Sequence, residues 1–217
     1  METDDKVILF DLDGTLIDTA PEMHLALNVL LEEEGLKSLS YEFIRPYVSH
    51  GVMGIFKNVF EDNPKVGGRR FKKYLDIYEN YLGINAKMFQ GMNEVIVAIE
   101  KQNIHWGVVT NKSERFAKPL LKKLNLLDRT SCLVCGDTTA YLKPDPEPIN
   151  HALSLLNIKN VDKSFYVGDS KKDIDAAKSA GIKSIACTYG YICDEENPQE
   201  WHADFYVNYP LEILDVI

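Results

Sequence analysis

The sequence predicts an α/β fold: a parallel sheet covered on both faces by helices, with a block of helices inserted after the first strand. Three observations predict it. Short apolar runs recur along the 217 residues, each next to a stretch with apolar residues at helical spacing. Strand and helix alternate, which makes the strands parallel and buries both faces of the sheet. From residue 17 to about 86 that alternation breaks, and helical patterns follow one another with no convincing strand among them.

In order, the strands are expected in "KVILF" (6–10), "HWGVVT" (105–110), "CLVC" (132–135), "SFYVG" (164–168), "IKSIAC" (182–187) and "DFYV" (204–207). "SERFAKPLLKKLNLL", "PEPINHALSLLNI" and "KKDIDAAKSAG" supply helices between them. Within the inserted block, "APEMHLALNVLLEEEGL", "GVMGIFKNVF" and "RRFKKYLDIYENYLG" read as helices, and "NPKVGGRR" as a loop from its proline and paired glycines. The chain returns to the sheet near "GMNEVIVAIEKQN". The organisation that follows is a core of residues 1–16 and 87–217 and a helical cap of residues 17–86.

Composition narrows the function. Hydrophobic residues make up 45% and charged residues 26%, as in ordinary soluble proteins, and the net charge is −9. That acidity excludes a nucleic-acid partner, which recruits basic surfaces. No apolar stretch has membrane-spanning length, and "METDDK" lacks both regions of a signal peptide, so a cytoplasmic protein with reduced cysteines is expected. "CLVC" has the spacing of a metal or redox pair. In a strand that spacing sends the thiols to opposite faces, so Cys132 and Cys135 are expected to pack in the core.

Ligands of open parallel sheets bind beyond the carboxyl ends of the strands. The first strand ends at Asp11 and Asp13, the second at Thr110 and Asn111, and the fourth at Gly168, Asp169 and Ser170; Lys143 lies in the loop after the third. Carboxylates gathered at one rim raise one another's pKa or require a cation. Magnesium suits oxygen ligands and keeps waters and phosphate in its shell, and Asp11 and Asp169 can share one ion. Asp11 is then a candidate nucleophile, able to form an acyl phosphate. Asp13, on a segment that Gly14 lets turn, can protonate a leaving oxygen and later activate water. Lys143 and Thr110 can hold charge developing on phosphoryl oxygens.

Several of these residues also have structural roles open to them. Asp13-Gly14 is a common turn pair. Asp11, Asp13 and Glu22 match the first, third and twelfth places of a calcium loop, but Leu16 stands where its glycine must be and a strand precedes it. Ser170 and Asp173 fit a capping box, a role compatible with support of a metal site. Asp145 reads as a cap with Pro146 at the first helical position. "RRFKK" reads as a solvated helix face. Arg45 and His50 of "IRPYVSHG" lie where the helical block can bring them over the site.

"FDLDGTLIDT", "VVTN", "LKPDPEP" and "YVGDSKKDIDAAKSAG" together resemble the four motifs of the haloacid dehalogenase superfamily, in that family's order. The resemblance implies a three-layer Rossmann-like core with a small helical cap that closes over the substrate. It implies a nucleophile at Asp11 and a general acid-base at Asp13. Mg2+ would be held by Asp11, Asp169 and the main-chain carbonyl of Asp13, with Asp173 supporting the metal's surroundings. Thr110, Asn111 and Lys143 would contact the phosphoryl group. The likeness is greatest to bacterial phosphoglycolate phosphatases, through "DLDGTLIDTAPE", "RPYVSHG" and "YVGDSKKDIDAAKSAGI", and phosphatases of N-acetylmuramic acid 6-phosphate share much of it. The expected partner is a small phosphorylated metabolite, and the expected state a monomer or homodimer. A phosphomutase would keep Asp13 as well. A dehalogenase would not need it, since no leaving oxygen is protonated.

Overall fold

The computed structural model describes residues 6–61 and 65–217. The readings of residues 1–5 in "METDDK", and of residues 62–64 at the start of the internal loop, lie outside that range.

The first strand, β1 (Val7–Phe10), is buried along its whole length. After a turn comes the two-residue β2 (Ile17–Asp18), then helices α1 (Ala20–Glu33), α2 (Tyr41–Ile44), α3 (Gly51–Val59) and α4 (Arg69–Tyr81), with a 3-10 turn over Arg45–His50 between α2 and α3. The chain returns through β3 (Lys87–Met88). Thereafter α5 (Met92–Lys101), β4 (His105–Val109), α6 (Glu114–Lys123), β5 (Cys132–Val134), α7 (Glu147–Leu155), β6 (Ser164–Gly168), α8 (Lys171–Ser179), β7 (Lys183–Cys187), β8 (Phe205–Val207) and α9 (Ile213–Val216) complete it.

Among the described residues, β5, β4, β1, β6, β7 and β8 form a six-stranded sheet in that order, every neighbouring pair parallel. Successive side chains of β1 point to opposite faces. Ile8 and Phe10 join a cluster with Leu27, Ile96 and Leu120, while Val7 and Leu9 join another with Ile149, Ala152 and Ala177. Helices α5 and α6 therefore cover one face, and α7 and α8 the other, while α1 packs chiefly on α4 within the helical block. Cys132 and Cys135 fall in these two different clusters as unpaired, buried thiols, which is the packing their strand spacing predicts.

The six expected strands all form. The sequence reading missed β2 and β3, which pair antiparallel through Ile17 with Met88 and Asp18 with Lys87. Strands of two residues are too short to show alternation. They stand at the start and end of the helical block.

The order of the sheet positions the site. From β1 the chain crosses to β4 on one side, and later passes to β6 on the other. A reversal of this kind opens a crevice at the carboxyl ends of the central strands.

Candidate active site

Asp11 is the first residue past β1, held there by its N–H donating to Val167 O at 2.9 Å. The chain must turn at once, and Gly14 allows it with φ of 84°. Gly14 has a second reason to lack a side chain: the Asp169 carboxylate occupies the space a Cβ would need. Asp169, one residue past β6, is thereby brought up against the β1 turn.

Carboxylate oxygens of Asp11, Asp169 and Asp173 lie within 4.8 Å of one another. Asp173 comes from the first turn of α8, where Ser170 N–H and O–H donate to its Oδ2 at 3.0 and 2.7 Å. Its Oδ1 accepts from Lys143 Nζ at 2.7 Å. Asp173 thus caps its helix with one oxygen and faces the cluster with the other.

Lys143 is only 4% exposed although it comes from a loop. Its ammonium is 2.7 Å from Asp11 Oδ1 and 2.7 Å from Tyr166 Oη, and it also reaches Val109 O at 3.2 Å. Asn111 secures the loop: its Oδ1 accepts from Lys143 N–H and its Nδ2 donates to Lys143 O, both at 3.0 Å. Asp145 accepts from Glu147 N–H at 2.8 Å just ahead of α7. Thr110 is buried beside Asn111, its Oγ1 accepting from Lys112 N–H at 3.2 Å.

The electrostatics follow from burial. Desolvation pushes the Asp11 carboxyl up to about 7 against the pull of Lys143. Burial, reinforced by Asp173 and Asp11, raises Asp169 well above the usual carboxylate range. Burial alone would lower Lys143, but Asp11 and Asp173 raise it. Three carboxylates at such range around one ammonium leave excess negative charge in a dry place, and an all-oxygen donor set of this kind fits a hard divalent cation.

Asp13 stands apart from that cluster. Its Oδ1 accepts from Thr19 O–H at 2.5 Å and from Lys112 Nζ at 2.9 Å. Sequence reasoning overlooked Lys112, although it directly follows "VVTN" at the same strand end. It also overlooked Ser49, whose hydroxyl donates to Asp169 Oδ2 at 2.5 Å, and Tyr191, whose N–H donates to the same oxygen at 2.8 Å. Ser49 carried no signal of its own beside His50, and neither Tyr166 nor Tyr191 was singled out by the sequence.

A cavity of about 480 Å3 opens over these groups. Asp11, Asp13, Thr110, Lys143 and Asp173 lie along it, and the helical block contributes Val52, Met53, Phe71 and Leu75. His50 lines it as well, and its Nε2 is 3.0 Å from Glu196 Oε1. Arg45 turns elsewhere, donating to Tyr189 O at 3.2 Å and lying over the Tyr191 ring.

Residues 8–187 match the family model of haloacid dehalogenase-like hydrolases. The chain belongs to that family. It is 39% identical over 214 residues to the N-acetylmuramic acid 6-phosphate phosphatase of Pseudomonas putida, covering 98% of this chain and 96% of that one. It is 35% identical over 211 residues to the phosphoglycolate phosphatase of Xanthomonas campestris pv. campestris, covering 97% and 95%. The crystal structure of a predicted phosphoglycolate phosphatase from Haemophilus somnus superposes with a TM-score of 0.84 at 25% identity, covering 100% of this chain and 99% of that one. No helix among the described residues of this hydrolase-family chain is long and apolar enough to cross a membrane.

Proposed function

We propose that the chain is a magnesium-dependent phosphatase of small phosphomonoesters, working through an aspartyl-phosphate on Asp11. The observation that carries this reading is the convergence of Asp11, Asp169 and Asp173 on one another at the strand-end rim, with Lys143 against Asp11 and Asp173. Asp11 and Asp169 would hold Mg2+ with the carbonyl of Asp13, and the ion would offset charge on the substrate's phosphoryl oxygens.

The residues divide the work. A carboxylate oxygen of Asp11 forms a bond to phosphorus as the ester P–O bond breaks, and Asp13 gives its proton to the departing oxygen. Asp13 then takes a proton from a water that attacks the acyl phosphate, which releases inorganic phosphate and restores Asp11. Lys143 and Thr110 hold the phosphoryl oxygens, while Asn111 acts at one remove by fixing the Lys143 backbone. The helical block, residues 17–86, serves as a cap that excludes water from the acyl phosphate and selects the alcohol portion of the substrate. We place the enzyme in the cytoplasm, as a monomer or homodimer.

The two relatives suggest two substrates. 2-Phosphoglycolate suits the motif resemblance. The cavity favours the larger one: about 480 Å3, with Val52, Met53, Phe71 and Leu75 on its cap side, offers apolar contact that glycolate cannot use and an N-acetylmuramic acid 6-phosphate can. Phosphate release with Mg2+ tests both levels, on 2-phosphoglycolate, N-acetylmuramic acid 6-phosphate and hexose phosphates. At least about tenfold higher kcat/KM on the amino-sugar phosphate is expected, the worth of one or two well-placed apolar groups. Preference for 2-phosphoglycolate would reverse the substrate choice. Interconversion of hexose phosphates without phosphate release would overturn the phosphatase reading.

A further inference from the structure

A second group of ligand-type side chains lies away from the acidic cluster, where the helical block meets the loop after β7. His50 ends the 3-10 turn that precedes α3. Cys193 and Glu196 stand three residues apart in the loop, closed into a turn by Glu196 N–H donating to Cys193 O at 2.9 Å. One ring nitrogen, the sulfur and one carboxylate oxygen all lie within 4.8 Å of one another.

The arrangement is built by both segments. Gly54, one turn into α3, leaves the space that the His50 side chain fills, and any Cβ there would collide with it. His50 and Glu196 are already paired at 3.0 Å, with side chains 29% and 25% exposed, so an ion can reach them from solvent. Cys193 closes the inner side at 6% exposure.

The donor chemistry selects the ion. Magnesium and calcium want oxygen throughout, whereas an imidazole, a sulfur and a carboxylate suit zinc and its neighbours. Bonds of ~2.0–2.3 Å in a tetrahedron put ligand atoms roughly 3.3–3.8 Å apart, a spacing inside the 4.8 Å limit that these three atoms already meet. We propose that His50, Cys193 and Glu196 bind one zinc-class divalent cation, with water as the fourth ligand, and that this ion ties the helical block to the sheet. The sulfur binds as thiolate, its proton passing to solvent.

Such a tie reaches the reaction site. His50 lines the cavity, and its neighbour Ser49 bonds Asp169. The bound ion holds that wall in place and slows turnover.

Cobalt(II) is the probe, added to the metal-stripped full chain in excess Mg2+ so that the acidic cluster is filled. One cobalt per chain is expected, with a thiolate-to-cobalt charge-transfer band that zinc abolishes. Cys193→Ser should lose the band, keep its activity in Mg2+ alone, and be at least about tenfold less sensitive to zinc inhibition. Glu196→Gln gives an independent arm, weakening cobalt binding at least about tenfold while Cys193 remains. Cobalt binding without the band, a band that survives Cys193→Ser, or equal cobalt affinity in Glu196→Gln would overturn the site. Equal zinc inhibition in wild type and Cys193→Ser would overturn its effect on turnover.

Discussion

Lys112 Nζ lies 2.9 Å from Asp13 Oδ1 and 4.9 Å from the centre of the Tyr78 ring. The ammonium, from the residue after "VVTN", is thus held between an acid of the β1 turn and an aromatic of α4. It positions the group assigned to proton transfer. Lys112→Met should slow alkyl phosphates by roughly tenfold or more, a fraction of what a positioned acid-base contributes, and aryl phosphates less, because their leaving groups need little protonation. Asp13→Asn should show the same selectivity more strongly, and Lys112→Arg should restore most of the loss. Steady-state rates on paired alkyl and aryl esters check this; equal losses on both would remove Lys112 from proton transfer.

Asp11→Asn should lower phosphate release at least about 10^3-fold, as loss of a nucleophile does, while the circular dichroism spectrum stays native. Trapping of a phosphorylated chain in the wild type, and its absence in the variant, would locate the covalent step. Turnover near the wild-type level would refute the assignment.

Metal removal should expose a pH dependence with a definite sign. Burial raises the Asp11 carboxyl from its ordinary 3.8 to about 7. Between those values the folded chain keeps a proton that the unfolded chain has lost, so stability falls as pH rises toward 7 and above it the charged form bears the full cost. Mg2+ bound to the ionised carboxylates, as proposed, would remove that penalty. In thermal unfolding with chelator, Tm should decline from pH 5 to pH 8, and added Mg2+ should raise Tm more at pH 8 than at pH 5. An equal rise at both would mean that no buried carboxylate is engaged by the ion.

Glu22 ties α1 to the end of α4. Fully buried, it accepts from Tyr78 O–H at 2.9 Å and Gly83 N–H at 2.7 Å. Glu22→Ala should cost roughly 2–4 kcal/mol by leaving both donors unsatisfied, and Tyr78→Phe about 1 kcal/mol. Urea unfolding measures both; a loss for Glu22→Ala no larger than for Tyr78→Phe would show that the carboxylate is not a joint anchor.

The sheet and the acidic rim were legible for a physical reason. Runs such as "KVILF" are buried on both faces and read as strands without context, and Asp11, Thr110 and Asp169 follow their strands directly. Contacts made across the chain were not legible. Ser49 meets Asp169 from 120 residues away, and nothing in "RPYVSHG" marks its hydroxyl over the neighbouring histidine. The bracing of the Lys143 backbone by the Asn111 carboxamide, across 32 residues, was likewise unmarked in the sequence. Cys193 and Glu196 gave no pattern, because their partner His50 comes from the helical block.

The paired strands β2 and β3 bring the entry and exit of that block side by side. A segment whose two ends are neighbours closes its own loop, and its length or content can change at little cost to the scaffold beneath. Grafting a different set of helices between Asp18 and Lys87 should therefore retarget the enzyme while leaving its chemistry on the same six strands.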